Sequence, residues 1–164
     1  MIAVFFAVAG ICRAYDMRVA HVVEQLRDMQ EVGSDAVGYA GAPHGFYLLY
    51  QYCWYASTDQ DLIEMLRDPS SVVRLMGVKC IVTSPYRKID RSLLEPLRGD
   101  TTKIIVGAGG CVFSQMTVGD VVCQMQRDPD FLGPREPRRN KLPEATPGLR
   151  PPTTPSPSSG APQR

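Results

Sequence analysis

The sequence predicts an all-α fold, a short α-solenoid of about three helical hairpins followed by a disordered, proline-rich C-terminal tail. Apolar residues recur at helical spacing through the central chain. The segment that begins at Leu62 is followed by one of the same build at Leu93, and 9 of the 14 prolines lie in residues 134–164. We therefore divide the chain into an expected signal peptide (1–14), a helical-repeat domain (15–133) and the tail (134–164).

The N-terminal segment MIAVFFAVAGI, residues 1–11, is uncharged and mostly apolar. It is too short to span a bilayer, which takes about 20 residues. It matches the apolar region of a secretory signal, with Cys12 and Ala14 as small residues before a cleavage site, although no Lys or Arg precedes it. We expect cleavage after Ala14, export to the periplasm or the exterior, and no stable membrane span in the mature chain. The alternative is a buried first helix in a cytoplasmic protein.

Two helices are predicted before the central hairpin. HVVEQLRD, residues 21–28, has apolar residues at helical spacing, and FYLLYQYCWYA, residues 46–56, continues as a second helix. The connection between them, residues 29–45, is longer than in the later segments. We expect these two helices to form the first hairpin of the stack.

The central hairpin has the clearest pattern. Apolar residues recur at helical spacing in residues 62–66 and again in residues 72–80. Between them, Asp68 can cap the second helix with its carboxylate, and Pro69 suits the first helical position, where its missing N–H costs nothing. Residues 120–127, DVVCQMQR, predict one more helix, without a partner, that closes the stack.

An internal repeat is indicated after the central hairpin. Placing Leu62 on Leu93 also aligns Cys80 with Cys111, and it keeps the polar and apolar positions in step. A period of about 20 to 50 residues is typical of a solenoid, in which each unit buries its apolar face against its neighbours. We therefore expect residues 93–115 to form a second copy of the central hairpin.

The segment LIEMLRDPSSVVRLMGVKCI, residues 62–81, resembles the HEAT-type helical repeat family over its whole unit. The resemblance implies that Arg74 braces the neighbouring repeat. In the second copy Ile105 takes that place, so the bracing cannot run through both copies. HEAT-type stacks imply protein binding or scaffolding on an extended surface, which is an analogy of fold.

Most of the residues in the segment 46–55 are aromatic, and they surround the predicted helix. Because tyrosine has an apolar body and a polar tip, the stripe Tyr47, Tyr50 and Trp54 is a candidate for partner binding, together with Arg74. The alternative is that this helix lies between neighbouring repeats, which would make its aromatic residues part of the core.

Other site chemistries have little support. The net charge of +1 does not indicate a nucleic-acid binder. Cys53, Cys80 and Cys111 fall at equivalent points of the predicted second helices, and we expect buried thiols there, neither disulfides nor zinc ligands. No histidine lies near a Ser or Cys in a recognisable nucleophile turn. We therefore predict no enzyme activity, no metal and no cofactor.

One motif favours a nucleotide site. KIIVGAGG, residues 103–110, is similar to a strand that leads into a glycine-rich dinucleotide loop. Val112 stands where the third glycine of that motif belongs, so we expect a glycine-containing helix instead. The residues of this alternative site are Gly107, Ala108, Gly109 and Gly110.

The tail, residues 134–164, holds six Lys or Arg against two Asp or Glu, whereas residues 1–133 hold 12 against 15. Its prolines favour extended polyproline II conformations, which suit a stiff spacer or a ligand for an aromatic-lined groove. The alternative is an unstructured end without a partner.

These observations predict an exported helical-repeat protein that binds or scaffolds a protein partner without catalysis. The alternatives are an accessory subunit or fragment of a larger enzyme, since such repeats also accompany lyases, and the nucleotide-binding protein described above.

If residues 1–14 are a signal peptide, the mature protein begins at or near Tyr15. Intact-mass measurement of the exported protein is expected to show this N-terminus. A soluble cytosolic product that retains Met1 would contradict the prediction of export.

Overall fold

The computed structural model describes residues 15–134, which form a mostly helical body with a small three-stranded sheet. The expected signal peptide (1–14) and residues 135–164 of the expected tail lie outside the described residues. Among the described helices, none has the length and apolar character needed to cross a membrane. In chain order the elements are α1 (Met17–Asp28), β1 (Glu31–Gly33), α2 (Gly45–Ala56), α3 (Asp59–Leu66), α4 (Ser71–Thr83), a 3₁₀ turn (Arg91–Leu94) that leads into α5 (Glu95–Arg98), β2 (Lys103–Gly107), β3 (Ser114–Thr117) and α6 (Val118–Arg127).

Helix α4 is the centre of the body. Nearly all of its residues are buried, and it contacts α1, α2, α3 and α6. Helix α3 approaches α4 closely at Gly77, where an added Cβ would lie 3.0 Å from the Cβ of Met65 and 3.2 Å from the carbonyl oxygen of Leu62. A larger residue at this position would push α3 away from α4. Each large apolar side chain buried in this core contributes about 1.5 to 3 kcal/mol.

Local capping groups fix where several helices begin. Asp16 caps α1, because its carboxylate accepts a hydrogen bond from a first-turn backbone N–H at 2.8 Å. Thr58 and Asp61 form a reciprocal capping box at the start of α3. Thr117 and Asp120 do the same for α6. Such caps satisfy backbone N–H groups that have no partner within the helix, and each contributes about 1 kcal/mol.

The sheet joins distant parts of the chain. Strand β1 is parallel to β2, and β2 is antiparallel to β3. In register, Glu31 pairs with Ile105, and Lys103 pairs with Thr117. A parallel pair needs a long crossover, which the chain from α2 to α5 supplies here. The long connection predicted between the first two helices, residues 29–45, therefore contains a strand.

The prediction of a purely all-α solenoid is wrong. Lys103–Gly107 forms β2 and turns through a hairpin into β3, so residues 93–115 are not a second helical hairpin. Along β2, Ile104 and Val106 are buried while Ile105 is 43% exposed, which is the two-residue alternation of a strand. A β-branched run followed by glycines favours a strand over a helix. The match between the two segments therefore reflects similar apolar patterning and not a structural repeat.

The other predicted helices are present, and they carry the expected buried faces. Helices α1, α2 and α6 occupy the segments predicted for them, and α3 and α4 form the central hairpin. Cys53 and Cys80 are buried free thiols, as predicted. The prediction is wrong for Cys111, which is exposed because its segment is the β2–β3 connection and not a packed helix.

The turn between α3 and α4 is held by Asp68, whose side chain is fully buried. Its carboxylate accepts hydrogen bonds from the Ser70 N–H at 2.9 Å and the Tyr15 hydroxyl at 3.1 Å. It also pairs with Arg27 at 2.7 Å. Burial raises the pKa of Asp68, but these partners outweigh it and hold the pKa below its usual value. The prediction that Asp68 caps α4 and that Pro69 is its first helical residue is wrong, because Ser70 is the N-cap and the helix begins at Ser71. Asp68 orders the start of α4 instead through its hydrogen bond from the Ser70 N–H.

Lys79, on α4, is fully buried. Its ammonium donates three hydrogen bonds, to the carbonyl oxygens of Pro129 at 2.9 Å, Phe131 at 2.8 Å and Gly133 at 2.7 Å. These bonds use all three donors of the ammonium group. The chain after α6, residues 129–133, is therefore fixed to α4 at every second residue, and we call it the clamped segment.

We expect the contribution of Lys79 to stability to increase with pH between about 8 and 10.5. Burial lowers the pKa of Lys79 from 10.5 to about 8, while nearby acidic groups such as Asp130 oppose the change. Between these values the unfolded chain binds more protons than the folded chain, so raising the pH favours folding by about 1.4 kcal/mol per unit.

Urea unfolding of the wild type and Lys79→Met at pH 8.0 and 9.5 measures this effect. The wild type is expected to gain about 2 kcal/mol relative to the variant over this interval. A difference between the two proteins that does not change with pH would contradict the lowered pKa of Lys79.

Candidate functional site

Helix α2 differs in composition from the other described helices. Its sequence, GFYLLYQYCWYA, contains no charged side chain, and the helix packs on α1, α4 and β1. A helix that is apolar on all sides is normally covered on all sides. The described part of the chain covers only one side of α2, so the other side is a candidate binding surface.

His44 fixes the start of α2. Its Nδ1 accepts a hydrogen bond from the Phe46 N–H at 3.1 Å, and its Nε2 lies 3.0 Å from Oε1 of Glu31. Because a backbone N–H only donates, the ring proton is on Nε2, which donates to Glu31. Gly33 lies against the ring, since an added Cβ there would be 2.5 Å from Cγ of His44. Both ring nitrogens are engaged, so His44 ties α2 to β1.

Tyr47 and Tyr50, two of the residues predicted to contact a partner, lie in the core and are only 2% and 0% exposed. The Tyr50 hydroxyl donates to Oγ1 of Thr83 at 3.0 Å, and its ring centroid lies 5.2 Å from Nζ of Lys79, a cation–π distance. Burial raises the pKa of Tyr50 well above its usual value. Both tyrosines therefore belong to the packed side of α2 and not to a partner surface.

Trp54, the third residue of the predicted stripe, lies at the boundary between the core and the surface. Its ring packs edge-on against Tyr55, with centroids 4.8 Å apart at 76°. Its backbone carbonyl accepts a hydrogen bond from Arg87 at 3.0 Å, and the same guanidinium pairs with Asp59 at 3.0 Å. These contacts hold the C-terminal end of α2 against the start of α3.

The exposed side of α2 presents Leu48, Tyr52 and Tyr55, which are 49%, 47% and 58% exposed. Their spacing of i, i+4 and i+7 places them on one stripe of the helix. We call these three residues the α2 outer face. Tyr86, which is 79% exposed, precedes Arg87 and so lies near the C-terminal end of this helix.

Arg74, the fourth predicted contact residue, has a side chain that is 13% exposed. Its Nη1 donates to the carbonyl oxygens of Asp68 and Pro69, both at 2.9 Å. Its Nη2 pairs with Asp100 at 2.7 Å. Arg74 thus joins the start of α4 to the turn after α5, and these donors are used within the chain, so we do not assign it to a partner surface.

The α2 outer face was not among the predicted contact residues, although its spacing is present in the sequence. Aromatic residues surround α2, so two stripes of the helix have similar apolar character. Periodicity identifies both stripes but does not show which one packs on the core. Contacts with α1, α4 and β1 decide that question, and they leave Leu48, Tyr52 and Tyr55 outside.

The glycine-rich segment, residues 107–110, comprises the end of β2 and the start of the hairpin connection to β3. It leads into β3, whereas a dinucleotide loop leads into the N-terminus of a helix. The Gly110 N–H donates to the Ala36 carbonyl at 2.9 Å, and the Gly110 carbonyl accepts from Gly38 at 2.7 Å. Gly109 and Gly110 have φ values of 137° and 61°, which favour glycine. This geometry does not support the nucleotide site.

Other candidate sites were sought among the described residues. Within residues 15–134, no group of three or more His, Cys, Asp or Glu side chains is placed to hold a metal ion. An open groove of about 300 Å³ lies between α3 and α5. We call it the α3–α5 groove, and its apolar lining consists of Ile63, Leu66, Leu93, Pro96 and Leu97.

The two sides of α2 are expected to respond differently to substitution. Tyr52→Gln should change the free energy of unfolding by about 0.5 kcal/mol or less, because this side chain lies at the surface. Tyr55→Gln should cost about 0.5 to 1.5 kcal/mol, because it also removes the edge-on ring contact with Trp54. Tyr50→Ala should destabilise by about 3 to 5 kcal/mol through lost burial and a cavity. Urea unfolding followed by circular dichroism measures all three, and a cost above about 2 kcal/mol at Tyr52 would place that residue in the core.

No protein-family model matches the chain, and no curated protein is significantly similar to it.

Proposed function

We propose that the protein is a protein-binding or scaffolding module, without catalysis of its own, that docks a partner protein on the α2 outer face. The observation that supports this proposal is the exposure of Leu48, Tyr52 and Tyr55 along one stripe of an uncharged helix. Burying apolar surface drives association, so an aromatic stripe of this kind favours contact with another protein.

The chemistry of the face suits the centre of an interface. Protein interfaces are enriched in tyrosine and depleted of charged side chains in their central part. A tyrosine ring buries apolar area while its hydroxyl remains able to pair with a backbone carbonyl of the partner. Tyr52 and Tyr55 are therefore the residues from which we expect most of the binding energy.

Three contacts fix α2 on the body, and they order the α2 outer face in the unbound protein. His44 holds the start of the helix, Tyr50 its middle, and Arg87 its C-terminal end. A surface that is already ordered loses less conformational entropy when it binds.

We further propose that the protein is exported and that its central hairpin is of HEAT type. The paired helices α3 and α4, joined by an Asp-Pro turn and braced by Arg74, support the second proposal. The first proposal rests on the apolar segment 1–11. The mature chain expected after cleavage would begin with residues that pack on the body. The Tyr15 hydroxyl donates to Asp68, and the Asp16 N–H donates to Asp61 at 3.0 Å.

Partner capture by surface variants tests the binding proposal. Affinity-tagged full-length protein is mixed with the exported fraction of the source organism, and captured proteins are quantified by mass spectrometry. The triple variant Leu48→Gln, Tyr52→Gln and Tyr55→Gln is expected to lose the specific partner by at least about tenfold. Loss of one interface anchor alone commonly costs about 2 kcal/mol, or roughly 30-fold in affinity.

The matched control is the double variant Leu93→Gln and Ile105→Thr, which changes residues that are 37% and 43% exposed away from α2. This control should capture the partner as the wild type does. Equal capture by the triple variant would overturn the proposal, and loss in the control alone would move the site to the α3–α5 groove or the sheet. Circular dichroism establishes that each variant is folded.

A further inference from the structure

The described chain ends beside α2. The last of the three carbonyls that Lys79 binds in the clamped segment is that of Gly133. Gly133 has a φ of 98° and lies against Tyr47, where an added Cβ would be 2.6 Å from the ring. Tyr47 is in the first turn of α2, so the chain beyond Pro134 departs from a fixed point near the N-terminal end of that helix.

The α2 outer face is within easy reach of that point. From Tyr47 to Tyr55 the helix rises about 12 Å, at about 1.5 Å per residue. An extended chain covers about 3.1 Å per residue, so roughly four or five residues are long enough to follow the face. The sequence continues beyond Pro134 as far as Arg164, which is several times that length.

The chemistry of residues 135–164 suits the face. They contain eight prolines and have six Lys or Arg against two Asp or Glu, a net charge of +4. Residues 15–134 have 11 Lys or Arg against 15 Asp or Glu, a net charge of −4. Extended proline-rich segments dock on exposed aromatic side chains, and opposite net charges favour the encounter.

We propose that residues 135–164 bind the α2 outer face of the same molecule and compete with the partner protein for it. This inference rests on the proposed function, because it assigns a regulator to the same face. Proline rings pack against Tyr52 and Tyr55, and the tyrosine hydroxyls donate to backbone carbonyls that proline-rich segments leave unpaired.

A weak interaction is enough for this regulation. A segment tethered near its site has an effective concentration on the order of 1 mM. With an intrinsic dissociation constant of about 0.1 mM, the face is occupied in about nine molecules of ten, and partner affinity falls about tenfold.

Photo-crosslinking in the full chain tests the contact. The photoreactive residue p-benzoylphenylalanine, introduced at Tyr52, retains an aromatic ring on the face. After irradiation at low micromolar concentration, mass spectrometry is expected to show crosslinks from position 52 to residues 135–164 within monomers. The same residue introduced at Ile105, which is 43% exposed on the sheet, should give no such crosslinks.

Two further measurements test the chemistry and the competition. Replacing the eight prolines of residues 135–164 with alanine retains the charges and should reduce the crosslinks from position 52 to the level of the Ile105 control. Removing residues 135–164 should increase affinity for the captured partner about tenfold.

Failure of this inference and failure of the proposed function give different results. Absence of crosslinks from position 52 to residues 135–164 would overturn the inference, and crosslinks between two molecules would make a second copy the ligand. Either result leaves the proposed function standing if the triple variant still loses the partner. Partner capture by that variant at the wild-type level would overturn the proposed function itself.

Discussion

A lysine buried in the middle of α4 constrains much of the structure. An ammonium group enclosed in an apolar core is costly unless each of its donors has a partner. Lys79 meets this requirement with three carbonyls of residues 129–133, so the chain after α6 must return across α4. That return also places Gly133 on Tyr47 and brings the end of the body to α2.

The inner and outer sides of α2 have different surroundings. Its inner side joins the core through Tyr50, which contacts both Thr83 and Lys79. Its outer side keeps tyrosines at the surface, where they cannot turn inward because the core beneath them is already filled. A close-packed interior of this kind leaves no space for a second set of aromatic rings. The exposure of Leu48, Tyr52 and Tyr55 is therefore a fixed property of the fold.

Two ion pairs link segments that are distant in sequence. Arg27 of α1 reaches Asp68 in the α3–α4 turn, and Arg74 of α4 reaches Asp100 after α5. Each ion pair joins a helix to a turn that lies far from it in the sequence, so the two pairs fix the packing around the central hairpin.

The sequence by itself determined most of the helices and the aromatic character of α2. Periodicity and capping residues such as Thr58 with Asp61 act within a few positions, so they can be recognised locally. For residues 103–110 the sequence was compatible both with a strand that leads into a glycine-rich loop and with a glycine-containing helix, and the helix that we expected is wrong. Only the tertiary structure decided that Lys103–Gly107 is a strand. Its parallel partner is β1, and the four helices α2 to α5 lie between β1 and β2 in the sequence. Tertiary packing also decided which stripe of α2 is exposed and that Lys79 is buried, since both depend on contacts between segments that are distant in sequence.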